Sequence, residues 1–282
     1  MRDREPSSWG DPAGSGRDDS AAHVVVLVSA TAEWRALDEV LPEAAGVAKR
    51  GRTPFGEWLT VPDQVAGPGV AVMYGGWGKI AAAASTQYAI DRFGPELLVN
   101  LGSCGGFAGD VECGDVLLAV ETVVYDIVEQ MTDADEAIAE LTTSIDVSWL
   151  DGATGSGRHL GRYPSRVRPA RMVSADRDIV AGQIPELRRR YGAIAADWES
   201  GAIAWTAARN RTACLILRAV SDLVDPVGGG EVYDDHDEFA RRCLTVMREL
   251  VEVLPAWLEA WRARPAGWSP WATAAARLVE GQ

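Results

Sequence analysis

Short apolar runs alternate with segments of helical composition along most of the chain. The first run, VVVLVS at 24–29, is continuous and rich in β-branched residues, which is typical of a strand covered on both faces. A helix is predicted next, over about 33–41. The run VAVMY at 70–74 then leads through GGWG into KIAAAASTQYAIDRF, whose helical composition ends at Gly94 and Pro95. This stretch predicts a strand, a glycine turn and a helix.

Further apolar runs continue the same alternation. ELLVNL at 96–101 leads into GSCGG, VLLAVETVV at 116–124 is strand-like, and ARMVSA, AIAA and ACLILRAVS are shorter runs of the same kind. The pattern predicts an α/β fold, a single domain over 23–254 with a central, largely parallel or mixed β-sheet flanked by helices. A chain of 282 residues is long enough for such a domain with extensions.

Three segments depart from the alternation. Residues 1–22 are rich in Gly, Pro, Ser and Asp and are expected to be disordered. Residues 130–170 have weak periodicity and predict a long loop or a partly ordered insertion. An amphipathic helix over 237–254 is expected to be interrupted by Pro255 and followed by a Trp-rich C-terminal extension over 255–282. Its tryptophans, which either pack on their own domain or contact a subunit or partner, are Trp257, Trp261, Trp268 and Trp271.

The charge of the chain narrows the class of ligand. The formal net charge is -14, which argues against a nucleic-acid backbone or an anionic membrane surface as the main partner. A small molecule is the expected ligand. The N-terminus lacks the apolar region of a signal peptide, and no apolar run reaches the roughly 18 residues of a membrane span. Four cysteines without CxxC pairs or ligand clusters predict reduced thiols in a cytoplasmic protein, with no metal site.

Chemically distinctive residues follow several of the predicted strands. In an open α/β sheet, ligands bind where loops leave the carboxyl ends of the strands. The residues expected at such ends are Glu33, Gly75 to Gly78, Gly102 to Gly106, Asp197 with Glu199, and Arg218 with Ser221 and Asp222. Their clustering predicts one ligand site at this edge of the sheet.

Each motif also has a structural interpretation. GSCGG lets backbone amides approach a ligand, with Ser103 adding a hydroxyl, but it also suits a tight turn. It is neither a Walker A loop nor GxGxxG. Arg218 and Asp222 of LRAVSD suit an active site or a structural ion pair. Asp197 suits a helix cap, with Glu199 in a solvated first turn, or both belong to a buried site.

Other polar segments give weaker signals. The run DDHDE at 234–238 is interpreted as N-capping negative charge for the following helix rather than as a metal site. The three histidines lie in the tail, in the weakly periodic segment and in this acidic run. None is therefore expected to be a catalytic base; they are His23, His159 and His236.

Four motifs together resemble a known family. In this order and at these separations, GGWGKIAAAAST, VNLGSCGGFAGDVECGDVL, ADWESGAIA and ILRAVSD are similar to the nucleoside phosphorylase and nucleosidase superfamily. Methylthioadenosine/S-adenosylhomocysteine nucleosidases are the most similar branch. The resemblance runs from about Val24 to Leu254, and it implies a nucleoside phosphorylase-like fold, an enzyme without a cofactor and a homodimer.

The resemblance also implies roles for individual residues. Glu33 aligns with the acid that activates water, and Ser103 and Arg218 align with residues that help to hold that water. Glu199 aligns with the glutamate that binds the ribose hydroxyls. Asp222 aligns with the acid that protonates N7 of the departing purine. The expected substrate-binding residues are Gly102, Asp178, Trp198, Glu199 and Ser221.

The expected reaction is hydrolysis of the N-glycosidic bond of a purine nucleoside. Breaking this bond requires an acid near the base and carboxylates near the oxocarbenium-like sugar. Phosphorylases of the superfamily bind phosphate with arginines at positions where this chain has Asn100 and Glu33. Arg35 lies two positions along the helix from Glu33 and should point about 200° away. A phosphate-dependent phosphorylase remains the alternative, as does a non-catalytic nucleoside-binding module.

Two positions depart from the nucleosidase pattern. Asp178 stands where the family commonly has an aromatic that stacks on adenine, and Trp198 replaces a methionine beside the ribose glutamate. Trp77 or Trp198 could supply a different stacking surface, or the substrate could be a different purine nucleoside. Methylthioadenosine, S-adenosylhomocysteine, 5′-deoxyadenosine and aminofutalosine are the candidate substrates.

Overall fold

A computed structural model describes residues 22–41, 49–131, 133–152, 163–225 and 236–270. One sheet of ten strands forms its centre. The strands are β1 Val24–Val28, β2 Arg50–Arg52, β3 Glu57–Thr60, β4 Val70–Tyr74, β5 Leu97–Phe107, β6 Val116–Val124, β7 Thr142–Ser144, β8 Arg168–Ser174, β9 Ala195–Asp197 and β10 Ala213–Val224. The helices are α1 Thr31–Val40, α2 Asp63–Ala66, α3 Lys79–Phe93, α4 Ala134–Glu140, α5 Ile184–Tyr191, α6 Ser200–Arg209 and α7 His236–Arg262, with short 3₁₀ turns at Ser148–Gly152 and Ala181–Gln183.

The sheet is mixed, as the alternation of strands and helices predicts. Its order is β10-β6-β8-β9-β5-β1-β4-β3-β2, with β7 added beside β6. A further pairing between β10 and β5 closes β10, β6, β8, β9 and β5 into a ring. The parallel pairs β1–β4, β1–β5 and β5–β10 end at the same edge, because parallel neighbours run in one direction.

Strand β1 shows why its sequence is apolar throughout. Val24, Val26 and Val28 face a core shared with α1 and α7, whereas Val25 and Leu27 face a second core shared with α3 and α6. Successive side chains of a strand point to opposite faces, so a strand covered on both faces has to be continuously hydrophobic. The strand predicted at 24–29 is therefore confirmed.

The C-terminal helix continues through the residue that was expected to interrupt it. Helix α7 contains Pro255 and extends to Arg262, so the predicted interruption is wrong. A proline inside a helix removes a backbone hydrogen bond. Burial of Trp257 and Trp261 beyond it, at 0% and 3% exposure, gives the helix an apolar face that offsets this cost.

These tryptophans pack on their own domain. Trp257 and Trp261 pack edge to face on the fully buried Trp149, and Trp268 packs on Trp261. Intramolecular packing is thus confirmed for three of the four predicted tryptophans, Trp257, Trp261 and Trp268. Trp271 lies outside the described residues.

The segment at 130–170 is more regular than its sequence suggests. It contains α4, β7, the 3₁₀ turn at Ser148–Gly152 and the start of β8. Residues 132 and 153–162 lie outside the described part, as do 1–21 of the predicted N-terminal tail. Across the described ranges, no helix is long and apolar enough to cross a membrane.

The middle of β5 is where the sheet opens. Strand β1 pairs with β5 up to Leu101, and β9 pairs with it from Gly105, so these two neighbours diverge on either side of 102–104. Strand β10 continues along the other side of β5 from Leu97 to Phe107. The divergence places Ser103 and Cys104 at the floor of a cleft, which is the position where α/β sheets bind ligands.

Candidate active site

A cavity of about 530 Å³ lies over this divergence. It is large enough for a small organic ligand. Among the residues singled out from the sequence, those that line it are Glu33, Trp77, Ser103, Cys104, Gly105, Asp178, Asp197, Trp198, Glu199, Ser221 and Asp222. Arg218 and Gly102 lie directly behind its wall, in contact with Glu33. The predicted clustering around one site is therefore confirmed, but Ser103 and Arg218 lie within strands β5 and β10 rather than at their ends.

Glu33 is held in the first turn of α1 by three donors. The amide and the hydroxyl of Ser103 donate to its Oε1 at 2.6 and 2.8 Å, and the amide of Ala30 donates to its Oε2 at 3.2 Å. The side chain is 2% exposed. Arg35, two positions further on, is exposed, so the two side chains face opposite ways as predicted. Glu33 is a buried carboxylate with a fixed orientation at one end of the cavity.

Arg218 lies beneath three carboxylates. Its guanidinium is 3.9 Å from Glu33, 2.9 Å from Asp197 and 3.5 Å from Glu199, and the side chain is 1% exposed. The contact with Asp197 is ionic, because the Nε and Oδ2 atoms are not aligned for a hydrogen bond. Burial alone would lower the pKa of Arg218, but the three carboxylates raise it above its ordinary value. The cluster is therefore anionic even though its arginine stays charged.

Asp197 has the capping role proposed for it, together with a second one. Its Oδ1 accepts hydrogen bonds from the hydroxyl of Ser174 at 2.6 Å and from the amide and hydroxyl of Ser200 at 3.1 and 2.9 Å. These bonds fix the start of α6. The other oxygen faces Arg218. The sequence indicated the cap but not the ion pair, because Asp197 and Arg218 come from separate strands, β9 and β10, that the fold brings together.

Glu199 is buried rather than solvated. It is 6% exposed, its Oε1 accepts the amide of Gly78 at 3.0 Å, and its Oε2 is the oxygen that faces Arg218. Burial raises the pKa of Glu199 to about 8. The positive charge of Arg218 lowers this pKa, whereas the negative charges of Asp197 and Glu33 raise it further. The solvated first-turn alternative is therefore wrong for Glu199. Its carboxyl group lines the cavity and can accept ligand hydroxyls.

Asp222 sits on an irregularity of β10. Val220 pairs with Cys104 and Asp222 pairs with Gly105, so Ser221 is an extra residue in the strand. Such a β-bulge re-aims the side chains around it. Ser221 and Asp222, although adjacent, both line the cavity, and the hydroxyl of Ser221 donates to Oδ1 of Asp222 at 2.6 Å. Asp222 is 8% exposed, so it adds a further buried carboxyl group to the cavity.

Side chains near Asp222 identify one wall of the cavity. The side chain of Ile179 lies against Gly105: a Cβ atom added to Gly105 would be 2.6 Å from Cδ1 of Ile179. Arg177 and Asp178 precede it; both are exposed and both line the cavity. This wall is therefore polar at its rim and apolar further in.

Two tryptophans form another wall, beside Glu199. The rings of Trp77 and Trp198 lie 4.9 Å apart between centroids, and Trp77 is 61% exposed. Large exposed aromatic side chains next to a cavity are unusual unless a ligand or partner covers them. The pair gives the cavity an aromatic surface on the Glu199 side, whereas Asp178 lies on another wall.

GSCGG is part of strand β5, so its interpretation as a turn is wrong. Its glycines leave space for side chains from other parts of the chain; they do not turn the backbone. A Cβ added to Gly102 would be 2.3 Å from Nη1 of Arg218 and 2.8 Å from Oε1 of Glu33. Gly102 therefore acts behind the cavity, by letting the arginine pass, and not as a lining residue.

Several cavity residues were missed by the sequence analysis. Phe239 of α7 lines the cavity, as do Arg177 and Ile179. Phe239 follows the acidic run that was assigned to helix capping, and Glu238 in that run pairs with Arg241 and Arg242. A tertiary contact of α7 has no local sequence signal. Within the described ranges, no group of three or more His, Cys, Asp or Glu side chains could hold a metal ion.

A family model covers most of the chain. The model described as the phosphorylase superfamily matches residues 24–254. The chain belongs to the phosphorylase superfamily. Curated relatives include 5′-methylthioadenosine/S-adenosylhomocysteine nucleosidases of Anoxybacillus flavithermus, 25% identical over 74% of this chain and 89% of the relative, and of Bacillus subtilis, 26% identical over 66% and 80%.

Solved structures of superfamily members share the fold. A Neisseria meningitidis 5′-methylthioadenosine/S-adenosylhomocysteine nucleosidase in complex with methylthio-immucillin-A aligns with a TM-score of 0.63, at 23% identity, over 83% of this chain and 98% of that one. The futalosine hydrolase of Helicobacter pylori aligns with a TM-score of 0.66, at 16% identity, over 85% and 98%. The α/β fold with a central mixed sheet is thus the fold of this superfamily, as predicted.

Proposed function

We propose that this phosphorylase-superfamily member is an enzyme that hydrolyses the N-glycosidic bond of a purine nucleoside and releases the free base. The observation that carries the proposal is the position of three carboxyl groups around one cavity. Glu33 and Glu199 both face Arg218, and Asp222 lies on the bulge of β10 beside Ser221, in the lining of the same cavity. Curated relatives named as nucleosidases support the same reaction class.

The proposed mechanism uses each carboxyl group once. Asp222 donates its proton to N7 of the purine as the C1′–N9 bond breaks and its electron pair moves into the base. Glu33 accepts a proton from water while the water oxygen bonds to C1′. Glu199 accepts hydrogen bonds from the ribose hydroxyls. The reaction consumes one water and yields the base and the free sugar.

The charge of the cluster suits an oxocarbenium-like transition state. Glu33 and Asp197 alone outnumber the single guanidinium of Arg218, and Glu199 adds a third negative charge when it is ionised. Positive charge that develops at C1′ would be stabilised by this fixed negative environment, where little water remains to screen it. The leaving base requires Asp222 to carry its proton when the bond breaks.

Water rather than phosphate is the proposed nucleophile. A phosphate dianion near Glu33 would meet the anionic cluster, and Arg218 is already engaged by carboxylates. Asn100 turns away from the cavity and donates to the backbone carbonyl of Leu27 at 3.0 Å. Arg35 is exposed on α1. The described residues thus give little support to a phosphate-dependent phosphorylase.

The proposed substrates are adenosine derivatives modified at the 5′ position. The candidates are methylthioadenosine, S-adenosylhomocysteine, 5′-deoxyadenosine and aminofutalosine. Trp77 and Trp198 flank Glu199 and so lie beside the bound sugar in this proposal. Asp178 and Arg177 line the wall near Asp222, where the base would lie. Polar groups at that wall favour a base whose edge offers hydrogen-bonding groups.

The proposal is tested by base release from these four nucleosides, in phosphate-free buffer and again with phosphate added. We expect free adenine, or the corresponding base, and free sugar without phosphate, at a rate that phosphate does not increase. Chromatography separates the base, the sugar and any sugar phosphate. Formation of a sugar 1-phosphate, with turnover only when phosphate is present, would instead identify a phosphorylase; binding without turnover in either buffer would identify a binding module.

We also propose that the enzyme is a homodimer. Beside the cavity lies an exposed apolar patch formed by the start of α3 and the segment after β6, which the ion pair of Lys79 with Asp126 holds together. Its side chains are Trp77, Ile80, Ile127, Val128 and Met131, of which Ile80 is 86% and Met131 94% exposed. Contiguous exposed apolar residues of this kind mark protein interfaces.

Charge introduced into this patch should separate the subunits. We expect the wild-type protein to sediment at twice the monomer mass and Val128→Lys/Met131→Lys to sediment as a monomer, since burying two ammonium groups is unfavourable. The control is Glu259→Lys, on the exposed side of α7. A wild-type protein that is monomeric at micromolar concentration would refute the dimer.

A cytoplasmic location is the last part of the proposal. All four cysteines are free thiols, and three of them, Cys104, Cys214 and Cys243, are buried. Free thiols persist in reducing compartments. This agrees with an intracellular nucleoside as substrate.

A further inference from the structure

Arg242 joins helix α7 to the part of β10 that carries Asp222. It lies in the second turn of α7, where its Nε donates to Oε1 of Glu238 at 2.7 Å. Its Nη1 donates to the backbone carbonyl of Ser221 at 3.0 Å. One guanidinium thus spans from the helix to the residue next to the proposed acid.

The carbonyl that Arg242 binds belongs to the extra residue of the β-bulge. Val220 is fixed by backbone hydrogen bonds with Gly114 and Asp115, and Asp222 returns to register opposite Gly105. A bulge residue leaves the regular ladder, so its carbonyl needs another donor. Besides Arg242, the thiol of Cys113 approaches this oxygen, at the long distance of 3.9 Å. Arg242 is therefore the strong donor that fixes the bulge.

The bulge residue in turn orients the acid. The hydroxyl of Ser221 donates to Oδ1 of Asp222 at 2.6 Å, while the carbonyl of the same residue is bound by Arg242. The hydrogen bond and charge of Glu238 raise the pKa of Arg242, and the charge of Asp222 adds to this, so the guanidinium attracts the ionised form of Asp222. The cation is thus close enough to stabilise negative charge that appears at the acid.

We propose that Arg242 is a positioning residue for the proton donor: it fixes the bulge that aims Asp222 and stabilises the carboxylate that remains after proton transfer. The inference rests on the proposed function, because it takes Asp222 as the acid. In the reaction, the Asp222 proton goes to N7 of the base, the C1′–N9 electron pair leaves with the base, and Asp222 becomes an anion. Fixed positive charge near a developing anion lowers the barrier to its formation.

The test separates proton donation from the rest of the reaction by means of the leaving group. A purine needs protonation to depart, whereas 4-nitrophenolate leaves without it. Turnover is therefore measured on the best nucleoside substrate and on 4-nitrophenyl β-D-ribofuranoside, for wild type, Arg242→Met and Arg242→Lys. Arg241→Met is the matched control, since Arg241 also pairs with Glu238, at 2.6 Å, but is 71% exposed.

We expect Arg242→Met to lose about 100-fold in kcat on the nucleoside, the lower range for general acid catalysis, and less than about threefold on the nitrophenyl riboside. KM should change little on either substrate. Arg242→Lys, which keeps the charge and one donor, should recover most of the loss. Arg241→Met should behave as wild type on both substrates.

Two results would overturn the inference. Equal losses of Arg242→Met on both substrates would show a general structural role, and an unchanged rate on the nucleoside would show no role. Either result leaves the proposed function standing, provided that wild type releases base. A wild-type protein that releases base from no nucleoside would refute the proposed function and this inference with it.

Discussion

Replacing Asp222 by Asn will abolish base release while leaving the fold intact. The amide nitrogen or oxygen of Asn fits the same space and can keep the hydrogen bond with Ser221, at 2.6 Å in the wild type. It has no proton acidic enough to transfer to a purine. General acid catalysis contributes on the order of 10² to 10⁴ in rate, and we expect the loss in kcat to lie at the upper end, because purine anions are poor leaving groups.

The measurement is kcat and KM on the best nucleoside, with circular dichroism and thermal unfolding as checks of the fold. Asp222→Asn should still bind the nucleoside, with a KM or Kd within about tenfold of wild type, because Glu199 and the tryptophan wall are untouched. Its rate on the nitrophenyl riboside should stay near that of wild type. Full activity of Asp222→Asn on the nucleoside would remove Asp222 from the mechanism.

Replacing Glu199 by Gln will weaken the binding of the sugar and change how stability depends on pH. Above its pKa of about 8 the carboxyl group is ionised, and this carboxylate is proposed to accept hydrogen bonds from ribose hydroxyls; hydrogen bonds to charged groups contribute about 1.5–3 kcal/mol each. We expect kcat/KM at pH 8.5 to fall roughly 100-fold, which corresponds to about 3 kcal/mol. The loss should appear mainly in KM, since the hydroxyls are bound in both the ground state and the transition state.

The pH dependence follows from the raised pKa of Glu199. Burial raises this pKa to about 8 in the folded protein, from the ordinary glutamate value of 4.5 that applies to an unfolded chain. Between these values the unfolded chain loses the proton while the folded protein keeps it, so the contribution of Glu199 to stability is full below pH 4.5 and is lost as the pH rises to 8. Gln has no such proton.

The free energy of unfolding of Glu199→Gln, relative to wild type, should therefore rise by roughly 3 kcal/mol between pH 5.5 and pH 8.5. Urea unfolding at the two pH values measures it. Glu186→Gln is the control, because Glu186 is exposed and a hydrogen bond with Arg189 lowers its pKa, so that it stays ionised over this range. A constant difference between Glu199→Gln and wild type would show that Glu199 is ionised throughout.

The framework of the fold was predictable because it depends on local patterns. Val24–Val28 and Val70–Tyr74 are continuously apolar because helices cover both faces of the sheet, and the intervening segments have the composition of helices. The continuation of α7 through Pro255 was not predictable in this way. It depends on the packing of Trp257 and Trp261 against Trp149, which comes from a distant segment.

The candidate site was predictable as a set of residues and less so as a geometry. Glu33 and Glu199 follow strands β1 and β9, Asp222 lies near the end of β10, and parallel strands bring such ends together. Ser103 and Arg218 were expected at strand ends but lie within β5 and β10. The same logic could not show that GSCGG remains a strand. A glycine run has one local signature whether the chain turns or a distant side chain needs space, and only the approach of Arg218 to Gly102 distinguishes the two.

Contacts made by α7 had no signal in the sequence at all. Phe239 in the cavity wall and Arg242 on the bulge come from a helix whose amphipathic pattern indicates only which side is buried. Which residues of β5 and β10 that side meets depends on how α7 lies across α1 and the sheet.

The burial of Arg218 restricts the order in which this site could lose its activity during evolution. Loss of the arginine first would leave Glu33, Asp197 and Glu199 buried without their counter-charge. Breaking a buried ion pair from one side costs about 3–5 kcal/mol, a large share of the 5–15 kcal/mol that holds a typical domain together. In a lineage that loses hydrolysis and keeps binding, the carboxylates would therefore be substituted before the arginine. An inactive descendant is expected to retain Arg218 after Glu33 has been replaced.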